Sequence, residues 1–385
     1  MSVSSEQLSG PVRRRLVLFV PGYEPLSAEA HQRRLWRTLE KTAKTWNLES
    51  ASAIAATTSS TAAFSARLEG ADWSVDSEIR VLAWDDLVKR GLAAPLPKRV
   101  LLGVLALFTL LLNGTLRRYA AAHWRFMCFA ILPIVILFMA LMLGLIAGLL
   151  VKAWAGLVLG GVVFCGLTIL ADRCIPLGLM LALWIFGRDL ARESQPEVTA
   201  RISSFTDEIK RARQRRDVDE IVLIGHSLGA ALLVAALAEV LSGQAEGEDG
   251  GPKIIFVGLG SCLLKIALMP EAAWLRSAIQ RIALADGLEW QEFTSRRDVV
   301  SFHRADPVAI LGLRGNGPRM ESIHPRAMIS DAEWRRMRHS VLRAHRVYLT
   351  GNSQRYFYDW GLMACGPASA AGAYPSRDRP AQVPL

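Results

Sequence analysis

The chain has 385 residues, 51% of them hydrophobic, a mean hydropathy of +0.25 and a formal charge of +10 from 45 basic against 35 acidic residues. That length allows one large domain or two average ones with a sizeable core. The positive charge invites a nucleic-acid reading, but zinc spacing, a basic-aromatic RNA signature and a helix-turn-helix pattern are all missing, so no nucleic-acid partner is expected. The basic residues gather beside an apolar zone between residues 100 and 187 and in "KRARQRR" (Lys210 to Arg216). Both placements suit a surface facing anionic lipid headgroups, and a solvated arginine-rich helix face accounts equally for the second. The cysteines (Cys128, Cys165, Cys174, Cys262, Cys365) are odd in number and form no C-x-x-C pair. A reducing compartment fits better than a disulfide framework or a zinc site.

"RRRLVLFVPGY" has a basic start but too few apolar residues before Pro21-Gly22 for a secretory h-region, and residues 16–20 read as a buried strand entering a turn. Ser27 can cap a helix over 28–46, whose Leu35, Leu39 and Ala43 recur at helical spacing. Strands are expected at 50–58, 61–68 and 78–84. Residues 1–98 thus read as the first part of a soluble domain.

Residues 99–187 read as a membrane insertion. From Phe126 to Val151 there are 26 residues without a charge, about 39 Å of helix against a hydrocarbon core of about 30 Å. After Lys152 come 19 more, residues 153–171, with Gly156, Gly160, Gly161 and Gly166 available for close helix approach. Soluble-looking sequence on both sides requires an even number of crossings. Two crossings with interfacial or partly buried helices at 100–116 and 174–187 are expected, with four as the alternative. Arg117, Arg118, Arg125, Arg173 and Arg188 flank the pair, while only Lys152 lies in its turn, which places both outer flanks in the cytoplasm. The expectation is an integral protein of the cytoplasmic membrane with its soluble domain on the cytoplasmic side.

The soluble pattern resumes over residues 188–365. Val198, Ile202, Phe205 and Ile209 mark an amphipathic helix, followed by strands at "EIVLIG", "KIIFVGLG" (253–260) and "EWQEFT" (289–294). Alternating strands and helices imply a mostly parallel sheet, an α/β fold. Residues 366–385, rich in Pro, Ala, Ser and Gly, read as a disordered tail.

Gly225-His226-Ser227-Leu228-Gly229 matches G-x-S-x-G between a β-branched strand and an alanine-rich helix. A serine on such a turn projects its hydroxyl above the sheet edge, the two glycines make room for the turn, and the helix dipole faces the developing oxyanion. Ser227 is therefore the candidate nucleophile. "IVLIGHSLGAALL" resembles the nucleophile elbow of α/β-hydrolases, in the form similar to lipases and esterases. The resemblance covers roughly 12–98 and 188–365 and excludes the insertion. It implies an α/β-hydrolase fold and a catalytic order of Ser, then Asp or Glu, then His. Asp298, just past the strand 289–294 in a D-x-V sequence, is the candidate acid, with Asp306 as the alternative. For the base, residues 331–348 read as one helix with Trp334, Met337, Val341, His345 and Tyr348 on an apolar stripe, so His345 points inward and His339 falls on the polar side. The oxyanion hole would use the amides of Leu228 and of Tyr23, on the loop opened by Gly22. Pro21, where lipases have histidine, departs from the family pattern. Glu24 could orient that loop or contact substrate.

These residues imply a membrane-anchored serine esterase or lipase acting on a hydrophobic ester or acyl-lipid at the membrane, by hydrolysis or acyl transfer. The alternative is a catalytically inactive hydrolase-fold scaffold that binds a partner. A transporter would need more spans and more intramembrane polar residues. With no phosphate-binding Gly-Lys loop, dinucleotide fingerprint or metal cluster, no cofactor or metal is expected.

Overall fold

Arg14–Val20 (β1) forms the centre of the sheet because six of its seven residues, Arg15 to Val20, are buried, as a strand covered on both faces requires. The computed structural model describes residues 12–57, 61–243 and 251–370. Among these, Glu49–Thr57 (β2), Thr61–Glu69 (β3), Ser74–Leu82 (β4), Glu220–His226 (β5), Lys253–Leu259 (β6), Glu289–Thr294 (β7) and Arg319–Ser322 (β8) join it in an eight-stranded sheet of order β2-β3-β4-β1-β5-β6-β7-β8. β3 runs antiparallel to β2 and β4; every pair from β4 through β8 is parallel. The mostly parallel α/β architecture expected from sequence is therefore present. Residue 58 of the expected strand 50–58 lies outside the described residues. β4 starts earlier than expected, since Ser74–Ser77 pair with β3. β8 was not legible at all: "RMES" is short and polar, and it is held by pairing with β7 alone.

Ala28–Trp46 (α1) begins where expected, with the Ser27 hydroxyl accepting from the Ala30 amide. Its buried face includes Leu35, Leu39 and Ala43 and belongs to the same core as Phe19 and Phe64.

The chain divides into two compact units. The first holds the sheet; the second comprises residues 86–195 and 265–272. This second unit extends beyond the expected insertion at both ends and recruits a short downstream segment, in which Glu271 pairs with Arg192 at 3.4 Å and the Leu268 carbonyl accepts from Arg118. Its helices follow Asp85–Ala93 (α2) as Leu96–Leu112 (α3), Thr115–Leu149 (α4), Trp154–Cys174 (α5) and Leu177–Ala191 (α6).

α4 and α5 are long and apolar enough to cross a membrane, with mean hydropathies of 2.9 and 2.1 over their most apolar windows. Among the described residues a third candidate exists only if α2 and α3, bent by 106° where they meet, are counted as one span. α4 breaks at His123, whose extended backbone interrupts the helix and whose Nδ1 accepts from the Phe126 amide. The apolar span therefore restarts close to the expected residue 126. Gly156 and Gly160 do mediate close approach: a Cβ on Gly156 would strike the Gly148 carbonyl, and one on Gly160 would come 2.8 Å from the Gly144 carbonyl. Gly161 and Gly166 face open space, so the sequence reading named two glycines too many.

Back in the first unit, Pro196–Arg213 (α7) carries the "KRARQRR" cluster at its end, where Arg215 pairs with Glu78 at 2.9 Å and with Asp217. Gly229–Ser242 (α8) follows β5. The tail expected from Gly366 is packed as far as Ala370. Arg15, 1% exposed, pairs with Glu220 at 2.5 Å and donates to the carbonyls of Gly366 and Ala368, while Glu220 accepts from the Ala370 amide. The rest of that tail lies outside the described residues. Removing one partner strands the other charge away from water. Arg15→Ala should therefore lower stability by about 3–5 kcal/mol, whereas exposed Arg14→Ala should change it by less than about 0.5 kcal/mol, read from urea midpoints of the detergent-solubilised chain.

Candidate active site

Because β1, β5, β6 and β7 are parallel, the loops leaving their carboxyl ends emerge on one edge of the sheet, where α/β proteins place ligands. Those loops carry Pro21–Glu24, Ser227–Leu228, Gly260–Cys262 and Ser295–Ser301.

Ser227 directly follows β5 with φ +55°, a left-handed conformation that costs a non-glycine residue about 1–3 kcal/mol and persists only under external constraint. The constraint is packing. A Cβ on Gly225 would lie 2.5 Å from Ala230 Cα, and one on Gly229 would strike the Val20 and Pro21 carbonyls. The turn is pinned on both faces: the Ser227 amide donates to Leu259 O and its carbonyl accepts from the Cys262 amide. α8 begins directly behind it without a side-chain cap, so its positive end faces this edge. Gly22 lies against the serine, since a Cβ there would come 2.9 Å from Ser227 Cβ. The Gly22–Tyr23 loop is thus beside the nucleophile candidate, as an oxyanion loop must be.

Asp298 and His345 meet. His345 Nδ1 lies 2.9 Å from Asp298 Oδ2. The carboxylate also accepts from Ser301 Oγ at 2.7 Å, Tyr348 OH at 3.1 Å and the Val300 amide at 3.0 Å. Burial raises its pKa, but the His345 imidazole and these hydrogen bonds outweigh that, and it is held below the ordinary aspartate value. Burial and the Asp298 charge push Tyr348 well above 10, so its phenol stays a donor. An ionised Asp298 fixes the proton of His345 on Nδ1 and leaves Nε2 with a lone pair. That buried Nε2 has no hydrogen-bond partner among the described residues. The Ser227 hydroxyl is 3.4 Å from Cys262 Sγ instead.

The alternatives take other roles. Asp306 caps the helix Pro307–Leu311, accepting from the amides of Val308 and Ala309. His339 is exposed. The single helix expected over 331–348 is corrected: it is two helices, Asp331–Met337 and Val341–His345, then a 3₁₀ turn at Val347–Leu349. Ser340 restarts the helix by accepting from the Arg343 amide, and Val341, expected on the buried stripe, is exposed. His345 is buried all the same.

Sequence reasoning missed several neighbours. His226, read only as the motif's variable position, donates from Nε2 to the His345 carbonyl at 3.1 Å, and the two rings lie 4.9 Å apart. Burial pushes His226 down to about 3. Tyr348 and Ser301 were not recognised as donors to the acid, nor Cys262 as the serine's neighbour; spacing in sequence carries no signal for contacts between separate loops. Glu24 bridges Arg34 at 2.9 Å and Arg346 at 3.1 Å. Burial opposes its ionisation, but those arginines hold it down to about 2, so it anchors the Tyr23 loop to the residue after His345.

No family model matches the chain, and searches of curated proteins and of solved structures find no match.

His226 and His31 are both buried, and burial holds His31 down to about 4. Between pH 6.5 and those values the unfolded chain binds protons that the folded chain excludes. The contribution of these two histidines is therefore complete above pH 6.5 and is lost as pH drops, by up to about 1.4 kcal/mol per pH unit for each histidine. His31→Gln should flatten the profile of urea midpoint against pH between 6.5 and 4.

Proposed function

We propose that the chain is a membrane-anchored serine hydrolase of the α/β-hydrolase type, with Ser227 as nucleophile, His345 as base and Asp298 as the group that orients the base. The observation that carries this reading is the hydrogen bond from His345 Nδ1 to the buried Asp298 carboxylate, which leaves an unpartnered Nε2 lone pair. The strained turn at Ser227, its flanking glycines and the G-x-S-x-G sequence support the same assignment.

Catalysis requires the hydroxyl to turn from Cys262 toward His345. Oγ then attacks the acyl carbon as Nε2 takes its proton, forming the Oγ–C bond and an oxyanion stabilised by the amides of Leu228 and Tyr23. Collapse breaks the bond to the leaving oxygen, which receives the proton from Nε2. Water, deprotonated by the same nitrogen, releases the acid and regenerates Ser227. Asp298 stays ionised throughout and stabilises the imidazolium.

α4 and α5 anchor the chain, and the arginines flanking them favour a cytoplasmic-membrane protein with its hydrolase domain in the cytoplasm. That location favours hydrophobic esters and acyl-lipids as substrates. A fluorophosphonate probe should label the full chain, and Ser227→Ala should abolish labelling. With a long-chain p-nitrophenyl ester, Asp298→Asn should lower kcat by about 10⁴-fold while the protein stays folded. The inactive, partner-binding alternative gains support from the serine facing Cys262 rather than His345, and it requires that the folded chain take no label.

A further inference from the structure

Between α1 and the segment from Ile329 to Gly351 lies a cavity of about 510 Å³, within the range of small-molecule sites. Six cationic side chains line it: Arg34, Arg37, Lys41, Arg336, Arg343 and Arg346. The only carboxylate in the lining, Glu333, is already paired with Lys41 at 2.6 Å and accepts from the Ser330 hydroxyl. Glu24, behind it, is shared between Arg34 and Arg346. Arg37, Arg336 and Arg343 have no carboxylate partner among the described residues; the guanidinium of Arg37 donates to the Arg33 carbonyl and that of Arg343 to the Arg336 carbonyl. Arg34 lines the same cavity. Its Nη2 is bound to Glu24, whereas its Nη1 is shielded from solvent and has no hydrogen-bond partner among the described residues.

Like charges around a concavity repel unless an anion neutralises them. Glu24 and Glu333 fix the positions of Arg34, Arg346 and Lys41 in advance. The planar forks of several arginines suit an oxyanion with more than one acceptor oxygen and up to two charges.

We infer that this arginine-lined cavity binds a phosphate-bearing ligand, either a free phosphate ester or the headgroup of an anionic phospholipid. Its wall includes Arg346, directly after His345, so the ligand sits next to the segment that carries the base. The binding itself does not depend on Ser227 being a nucleophile.

The test uses the full chain in neutral detergent at low ionic strength. Inorganic phosphate and glycerol 3-phosphate are titrated by calorimetry, and binding to micelles containing phosphatidic acid is compared with binding to micelles of phosphatidylcholine. Wild type should bind at least one phosphate probe saturably, and the exposed pair R336A/R343A should bind it at least about tenfold more weakly with an unchanged unfolding midpoint. Saturation by the soluble probes identifies a free phosphate ester; a response only to phosphatidic acid identifies a headgroup. The inference is overturned if none of the three phosphate probes binds, or if the double variant binds as tightly as wild type. Because binding is the readout, that failure would leave the labelling of Ser227, and hence the hydrolase reading, untouched.

Discussion

A carboxylate withdrawn from water costs several kcal/mol unless donors replace the solvent, and Asp298 is 1% exposed. Four groups supply that replacement: the Val300 amide, Ser301, Tyr348 and His345. Only the last can act as a base. The local D-x-V-S turn provides two of the donors from Asp298's own loop, and the distant segment provides the other two. Tyr348 and His345 come from one short stretch, three residues apart, and both are drawn in by the same oxygen. Gly260 keeps the gap open, since a Cβ there would strike Tyr348 and lie 3.0 Å from Asp298 Oδ2. The carboxylate thus organises the site, and the tautomer of His345 follows from it.

Ser227 is held by a different means. No charge is involved; its left-handed backbone is imposed by the close packing of α8 on β5 and on the end of β1, which Gly225 and Gly229 permit. The two devices are joined by His226, whose imidazole, kept neutral by burial, reaches from the elbow to the backbone of His345. Glu24 makes a parallel tie from the Tyr23 loop to Arg346. Each tie links segments more than a hundred residues apart, which explains why three candidate catalytic side chains can lie at fixed places without being near in sequence.

Much of this was legible beforehand because its signals are local. The buried runs of β1 and β5, the Ser27 cap, the uncharged spans and the elbow motif are each written in a few consecutive residues. Asp298 was found from its place after β7, and His345 from the expectation that a base points inward. The helix supposed to carry His345 was wrong. Its periodicity was real in type but interrupted by Ser340, which offers its own hydroxyl to a fresh helix start. β8 and the packed residues 366–370 escaped notice because polar and small residues there are held by partners elsewhere, Gln291 and Glu220 among them.

The sequence by itself determined the alternation of strands and helices, the two apolar spans and the strained serine turn, since hydrophobic periodicity, segment length and glycine placement act over a few residues. Only the tertiary structure decided that Asp298 rather than Asp306 meets a histidine, that this histidine is His345, and that arginines from α1 and from the 336–346 stretch surround one cavity. Those outcomes depend on the strand order and on which buried charges find donors, and chain spacing encodes neither.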